Sequence, residues 1–173
     1  MKRFINPTPE TWRALTQRGS TSYASLEPLA KKVFDNVAQS GDKALVSFTK
    51  KFDKVKLEDI SVSKNEIEDA IARVPQNLKN AVQKAKENIF RFHSAQKTKE
   101  VIVETQKGVN CWQKKLPIEK VGLYIPGGTA PLFSTILMLA IPAQVAGCEE
   151  VVLCSPPSGN GHLPDVILYT ADL

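Results

Sequence analysis

The sequence has few cysteines and histidines, and neither residue type forms a recognisable motif. Its three cysteines, Cys111, Cys148 and Cys154, form no C-x-x-C pair and leave an odd number. This usage favours reduced thiols in a cytoplasmic protein. The two histidines, His93 and His162, are 69 positions apart and have no companions at metal-ligand spacing. The sequence therefore predicts no metal ligand within these 173 residues.

Long hydrophobic runs are also absent. No apolar stretch reaches the roughly 18 residues of a membrane span, and the N-terminus lacks the apolar core of a signal peptide. We therefore expect no membrane partner. The 42% hydrophobic and 24% charged residues are typical of an ordinary globular protein.

Positive charge is missing from the carboxyl-terminal part of the chain. All 23 lysines and arginines fall within residues 1–120, whereas the aspartates and glutamates of residues 121–173 have no lysine or arginine beside them in that range. The basic residues alternate with acidic ones, as they do on solvated helix faces. They do not cluster with aromatic residues, as they do on nucleic-acid surfaces. Despite the net charge of +5, we expect no nucleic-acid partner.

The most informative stretch is residues 121–140, VGLYIPGGTAPLFSTILMLA. The apolar run from Val121 to Ile125 predicts a buried strand, which Pro126-Gly127-Gly128 ends. Thr129 is a suitable cap for a helix that begins near Pro131. Neither Gly-x-Gly-x-x-Gly nor Gly-Lys-Ser/Thr occurs, so both standard phosphate-binding fingerprints are missing.

Two interpretations of this turn remain open. Adjacent glycines let a ligand approach the backbone, and a helix N-terminus attracts anions, but the same residues also suit a merely tight connection. Tyr124 lies at the carboxyl end of the predicted strand, where α/β sheets bind ligands. Its side chain either stacks on or hydrogen-bonds a planar ligand, or packs under the turn.

The order of predicted elements indicates an α/β fold. Residues 1–100 form a mainly helical region, residues 101–120 a β-hairpin connection, and residues 121–173 the start of a Rossmann-like domain. In that last region the first strand is followed by a helix, a second apolar strand at Glu149–Cys154 and a second helix. The unit is therefore an incomplete parallel βαβα.

Several local features support this order. Ser63 and Glu66 form a capping box, and Gly41 ends a helix. Trp112 is interpreted as a packing residue, and Pro142 is expected to kink or shorten its helix. The apolar stripes of the helices predict core-facing surfaces: Leu26, Leu29, Val33 and Val37, then Ile67, Ala70, Ile71 and Val74, and then Leu78, Val82, Ala85, Ile89 and Phe92.

The parallel unit is too small to stand alone. Two parallel strands do not bury both faces, as parallel sheets usually require. We therefore expect the chain to be the N-terminal part of a longer polypeptide. No nucleophile is paired with a base, so we assign no catalytic residue.

Six segments carry a resemblance that runs from end to end. They are GDKAL (41–45), KFDK (51–54), FHSAQK (92–97), ETQKGV (104–109), VGLYIPGGTAPLFST (121–135) and AGCEEVVLCSPP (146–157). Together they closely resemble histidinol dehydrogenase, whose full-length chains are more than twice as long.

The resemblance implies an enzyme that oxidises L-histidinol to L-histidine through L-histidinal with two NAD. It implies a zinc-containing, intertwined homodimer with incomplete Rossmann-like domains, in which Tyr124 contacts NAD. The zinc ligands and the Glu-His acid/base pair of the family lie C-terminal to this sequence, so this fragment alone is expected to be inactive. His162 falls in a loop that varies in such proteins and receives no role.

A second hypothesis is a stand-alone, non-catalytic α/β module that binds a nucleotide or a protein. A zinc-ligand set and a Glu-His pair downstream of Leu173 would exclude that alternative.

Overall fold

The computed structural model describes residues 3–17, 23–128 and 130–173. Within these ranges it contains seven helices and four strands. The chain divides into two compact units, Met1–Ala44 and Leu45–Leu173. In chain order the elements are α1 Pro9–Thr16, α2 Glu27–Ser40, α3 Asp42–Phe52, α4 Lys64–Arg73, α5 Gln76–Ala95, β1 Val101–Gln106, β2 Val109–Gln113, β3 Lys120–Tyr124, α6 Phe133–Ala146, β4 Glu150–Cys154 and α7 Asp165–Asp172.

The first unit contains α1, α2 and the first turn of α3. Helix α2 ends at Gly41, as predicted, with a φ of 53° and its N–H bonded to the Val37 carbonyl. The predicted core-facing stripe of α2 holds only in part, since Val33 and Val37 are half-buried while Leu26 and Leu29 are exposed and no residue of α2 is fully buried. Two complete helices are too few to enclose a core of their own.

In the second unit α4 and α5 are built as predicted. The Ser63 hydroxyl accepts a hydrogen bond from the Glu66 N–H, and the Glu66 carboxylate accepts one from the Ser63 N–H. This reciprocal bonding satisfies the free donors at the start of α4. The α5 stripe packs against α6, with Val82 buried against Leu137 and its neighbours. Only Phe92 departs from the predicted stripe, being 63% exposed.

Strands β3 and β4 pair in parallel, which confirms the predicted βαβα unit. Leu123 pairs with Leu153, and both face the helices half-buried. The next residue, Ile125, is fully buried in a cluster with Ile136 of α6 and Ile167 of α7. Within the described residues the two strands are therefore buried on one face only, in agreement with the expectation that two parallel strands do not bury both faces.

The opposite face of this strand pair carries Tyr124, Val152 and Cys154, all of them exposed. The alternation follows from the strand period of two, which sends successive side chains to opposite faces. No described helix covers this second face, because α6 and α7 both pack on the first.

The predicted hairpin is present, with β1 and β2 antiparallel around a turn at Lys107-Gly108. Every residue of both strands is exposed, and Trp112 is 65% exposed. The packing role predicted for Trp112 is therefore wrong among the described residues, because no layer lies over either hairpin face.

Helix α6 begins close to the predicted position. Its first residue is Phe133, two positions beyond Pro131, and its N-cap is Leu132, which supplies no side-chain hydrogen bond. Thr129 lies outside the described residues. Pro142 does not shorten the helix, which continues to Ala146 and ends at Gly147 in the left-handed conformation. No helix in the described ranges is long and apolar enough to cross a membrane.

Burial of α6 predicts different responses at two leucines of the same helix. Leu137 is 3% exposed and Leu139 is 38% exposed. Leu137→Ala should lower the unfolding free energy by about 2–5 kcal/mol, because it removes buried methyl groups and leaves a cavity. Leu139→Ala is the matched control and should change it by under about 1 kcal/mol. Urea unfolding followed by circular dichroism measures both, and equal losses would contradict this assignment of the core.

Candidate functional site

A cleft of about 280 Å³ opens where β3 and β4 end side by side. The turn Pro126–Gly128 after β3 forms one wall, and Ser155–Gly159 after β4 forms the other. Leu132 and Ile167 close its base. The cleft therefore lies at the carboxyl edge of a parallel pair, the usual position of ligand sites in α/β folds.

The two glycines of the turn do different things. A Cβ on Gly127 would lie 2.7 Å from Cγ of Pro156, so only glycine fits between the two walls. Gly128 has a φ of 155° and faces open space, with nothing within 4 Å of the position of a Cβ. The tight-connection interpretation accounts for Gly127, whereas Gly128 leaves the backbone open to an approaching molecule.

Tyr124 does not pack under the turn. That place is taken by Ile125, which is fully buried, while Tyr124 is 64% exposed on the opposite face of the strand pair. Tyr124 pairs in register with Cys154, and neither residue lines the cleft. An exposed ring at the carboxyl edge is free to stack on a ligand. Its contact with NAD stays a prediction.

The loop after β4 is tied to α4, which sequence reasoning did not foresee. His162 Nδ1 lies 3.3 Å from Glu66 Oε1. Arg73 donates two hydrogen bonds to Asp165, from Nε at 3.0 Å and from the guanidinium NH2 at 2.7 Å. These partners are more than ninety positions apart, so no spacing in the sequence indicates either pair.

Hydrogen bonds lower the pKa values of the Glu66 and Asp165 carboxyl groups. Hydrogen bonds from the Ser63 backbone and hydroxyl, and then from His162, lower the pKa of Glu66. The Arg73 hydrogen bonds lower the pKa of Asp165. Both shifts follow from hydrogen bonding to the charged form of the carboxyl group.

Other candidate groups in the described chain do not converge on the cleft. His93 Nδ1 is 2.7 Å from Gln96 Oε1, at the end of α5. Among the described residues no three histidines, cysteines or acidic residues lie close enough together to hold a metal ion. The cysteines Cys111, Cys148 and Cys154 are unpaired.

The contact between the walls makes Gly127 sensitive to substitution. Gly127→Ala should lower the unfolding free energy by about 1–3 kcal/mol, because the new methyl group overlaps the rigid Pro156 ring. Gly122→Ala is the matched control in β3, where a Cβ meets nothing within 4 Å. Thermal or urea unfolding of both variants checks this expectation, which a Gly127→Ala variant as stable as the wild type would refute.

The Arg73–Asp165 pair predicts a dependence of stability on pH. The pKa of Asp165 is lower in the folded chain, so the pair contributes fully above the ordinary aspartate range and is lost as pH falls through the folded value. Between about pH 5 and pH 2, Asp165→Asn should therefore flatten the fall in unfolding free energy. Asp172→Asn on the same helix should not. Urea titrations across this range would contradict the assignment if both variants kept the wild-type slope.

Comparison with known proteins shows extensive similarity. The family model for histidinol dehydrogenase matches residues 16–173. A curated histidinol dehydrogenase from Bacteroides thetaiotaomicron is 47% identical over 173 residues, which is 100% of this chain and 40% of that protein. One from Pasteurella multocida is 56% identical over 138 residues, covering 80% of this chain and 31% of its own.

A solved structure agrees with these matches. The crystal structure of histidinol dehydrogenase from Elizabethkingia anophelis matches with a TM-score of 0.92 and 50% identity, over 98% of this chain and 39% of that chain. The chain thus spans about two fifths of the length of these relatives. These shares agree with the predicted correspondence to an N-terminal portion, and the chain belongs to the histidinol dehydrogenase family.

Proposed function

We propose that this chain supplies one part of the NAD site of a histidinol dehydrogenase, with Tyr124 as its NAD contact. The observation that carries the proposal is an exposed Tyr124 ring at the carboxyl edge of the parallel pair, next to an open glycine turn. None of the described residues that line the cleft has a charged side chain, and residues 121–173 contain no lysine or arginine.

The backbone therefore replaces basic side chains in this proposal. The N-terminus of α6 begins just after the turn, and its N-cap residue Leu132 offers no side-chain acceptor to the first amides. Free N–H groups and the positive end of the helix dipole favour a diphosphate there. The cleft of about 280 Å³ suits part of a dinucleotide, while the adenine or nicotinamide ring lies against Tyr124.

The proposed whole-enzyme reaction is the oxidation of L-histidinol to L-histidine through L-histidinal, in the pathway of histidine biosynthesis. Bound NAD supplies the hydride acceptor in each of two steps. The residues of this chain bind and orient the dinucleotide, and none is proposed to move a proton.

Zinc is also proposed for the whole enzyme, but the described residues do not fit it, since they contain no group of three potential ligands. The ligands are therefore placed outside these residues, as are the acid and base. We also propose a homodimer, which rests on the family resemblance. The division into a helical region, a hairpin connection and a Rossmann-like domain, with boundaries at residues 100 and 120, rests on the sequence pattern. A reducing compartment such as the cytoplasm suits the unpaired cysteines.

One observation favours a second candidate function. The β1–β2 hairpin exposes Val101, Ile102, Val103, Val109 and Trp112, a surface that suits a stand-alone protein-binding module. Such a module would not need NAD, so NAD titration separates the two candidates.

Substitution of Tyr124 tests the proposed contact. Tyr124→Ala should weaken NAD binding by about 5- to 100-fold, the range for loss of one base–aromatic stack. Tyr124→Phe keeps the stacking ring and should lose far less. Isothermal titration of the wild type and both variants measures these affinities. Wild-type binding that both variants leave unchanged would rule out the role of Tyr124.

Tyr23→Ala is the control, because Tyr23 is exposed to a similar extent, 70%, in the other unit. It should bind NAD like the wild type.

With L-histidinol added, the chain alone should form no NADH, since it is assigned no acid, base or zinc ligand.

A further inference from the structure

The loop between β4 and α7 contacts two other parts of the second unit, the glycine turn after β3 and helix α4. On one side Pro156 meets the glycine turn, where a Cβ on Gly127 would come within 2.7 Å of its ring. On the other side His162 faces Glu66 of α4 at 3.3 Å. The loop thus connects the cleft wall to a helix that does not itself touch the cleft.

Hydrogen bonds within the loop join Ser158 to the residues around His162. The Ser158 N–H donates to the His162 carbonyl at 2.9 Å, and the Gly161 N–H donates to the Ser158 carbonyl at 2.8 Å. The His162 N–H also donates to the Asn160 side chain at 3.2 Å. Ser158 lines the cleft. The turn that holds His162 is therefore the same turn that forms part of the cleft wall.

Helix α4 is a firm anchor for this turn. Ala70 at its centre is fully buried, and α4 packs along α7. Arg73 bonds both Asp165 oxygens at the first residue of α7, directly after the loop. Gly161 also approaches buried Val55, since a Cβ there would lie 3.6 Å from a Val55 methyl group. The loop is held at His162, at Gly161 and at Asp165.

From this geometry we infer that Glu66 and Arg73 are positioning residues for the cleft at Gly127-Gly128, holding the Ser155–Gly159 wall at the width that admits NAD. The inference rests on the proposed NAD site. Neither residue touches the ligand; each acts through the loop that it restrains. Both pairs are partly exposed, so their effect is on the position of the loop more than on the stability of the fold.

The test compares NAD affinity and loop protection in the full 173-residue chain. Glu66→Gln removes the charge that faces His162 while glutamine still serves the capping box. Arg73→Gln removes the bidentate pair. Each should weaken NAD binding by about two- to fivefold, the range that an exposed ion pair allows, and the double variant should weaken it further. Arg73→Lys keeps the charge but not the bidentate geometry and should fall between wild type and Arg73→Gln.

Glu87→Gln is the matched control. Glu87 pairs with Lys84 on α5 at 3.8 Å and is exposed to about the same extent as Glu66, but it lies outside the loop contacts. It should leave NAD affinity unchanged. Hydrogen exchange of the Ser158 and Gly161 amides should accelerate in the α4 variants only, while their thermal midpoints stay close to that of Glu87→Gln.

The outcomes separate this inference from the proposed function. A wild-type chain that binds no NAD overturns the proposed function and this inference with it. Wild-type binding with unchanged affinity in the α4 variants overturns only the inference. Unchanged exchange at Ser158 and Gly161, or affinity losses that merely follow a lowered thermal midpoint, also overturn it.

Discussion

The second unit depends on helices packing against a single face of the β3–β4 pair. Ile125, Ile136 and Ile167 meet in one fully buried cluster, in which the end of a strand and two helices share the same apolar contact. Burial of such side chains contributes about 1.5–3 kcal/mol each, so this contact outweighs any exposed ion pair nearby. It also positions the cleft, because Ile125 directly precedes the turn that forms one wall and Ile167 itself lines the cleft.

Most of the fold could be predicted from the sequence because its signals are local. The Ser63–Glu66 capping box, the Gly41 terminator and the positions of the two apolar strands depend on neighbouring residues only, and the structure confirms each. Trp112 could not be placed, since its burial depends on whether another layer covers the hairpin.

The site was less predictable than the fold, and each of its parts was hard to predict for a different reason. The glycine turn was recognisable as a break between an apolar strand and an apolar helix, but the Gly127–Pro156 contact is a long-range packing fact. The Glu66–His162 and Arg73–Asp165 pairs join distant segments through α4 and α7, whose packing no local pattern specifies. The role of Tyr124 as an NAD contact came from the family resemblance, and the structure adds that Tyr124 is exposed.

The hairpin has a consequence for the chain in concentrated solution. Within the described residues β1 and β2 form a sheet of only two strands, so each strand has an outer edge of N–H and C=O groups without a strand partner. Such edges are templates for strand addition, and the exposed Val103 and Trp112 side chains make addition more favourable. When its edges are not shielded, the same hairpin promotes edge-to-edge association and, at high concentration, aggregation through β-structure.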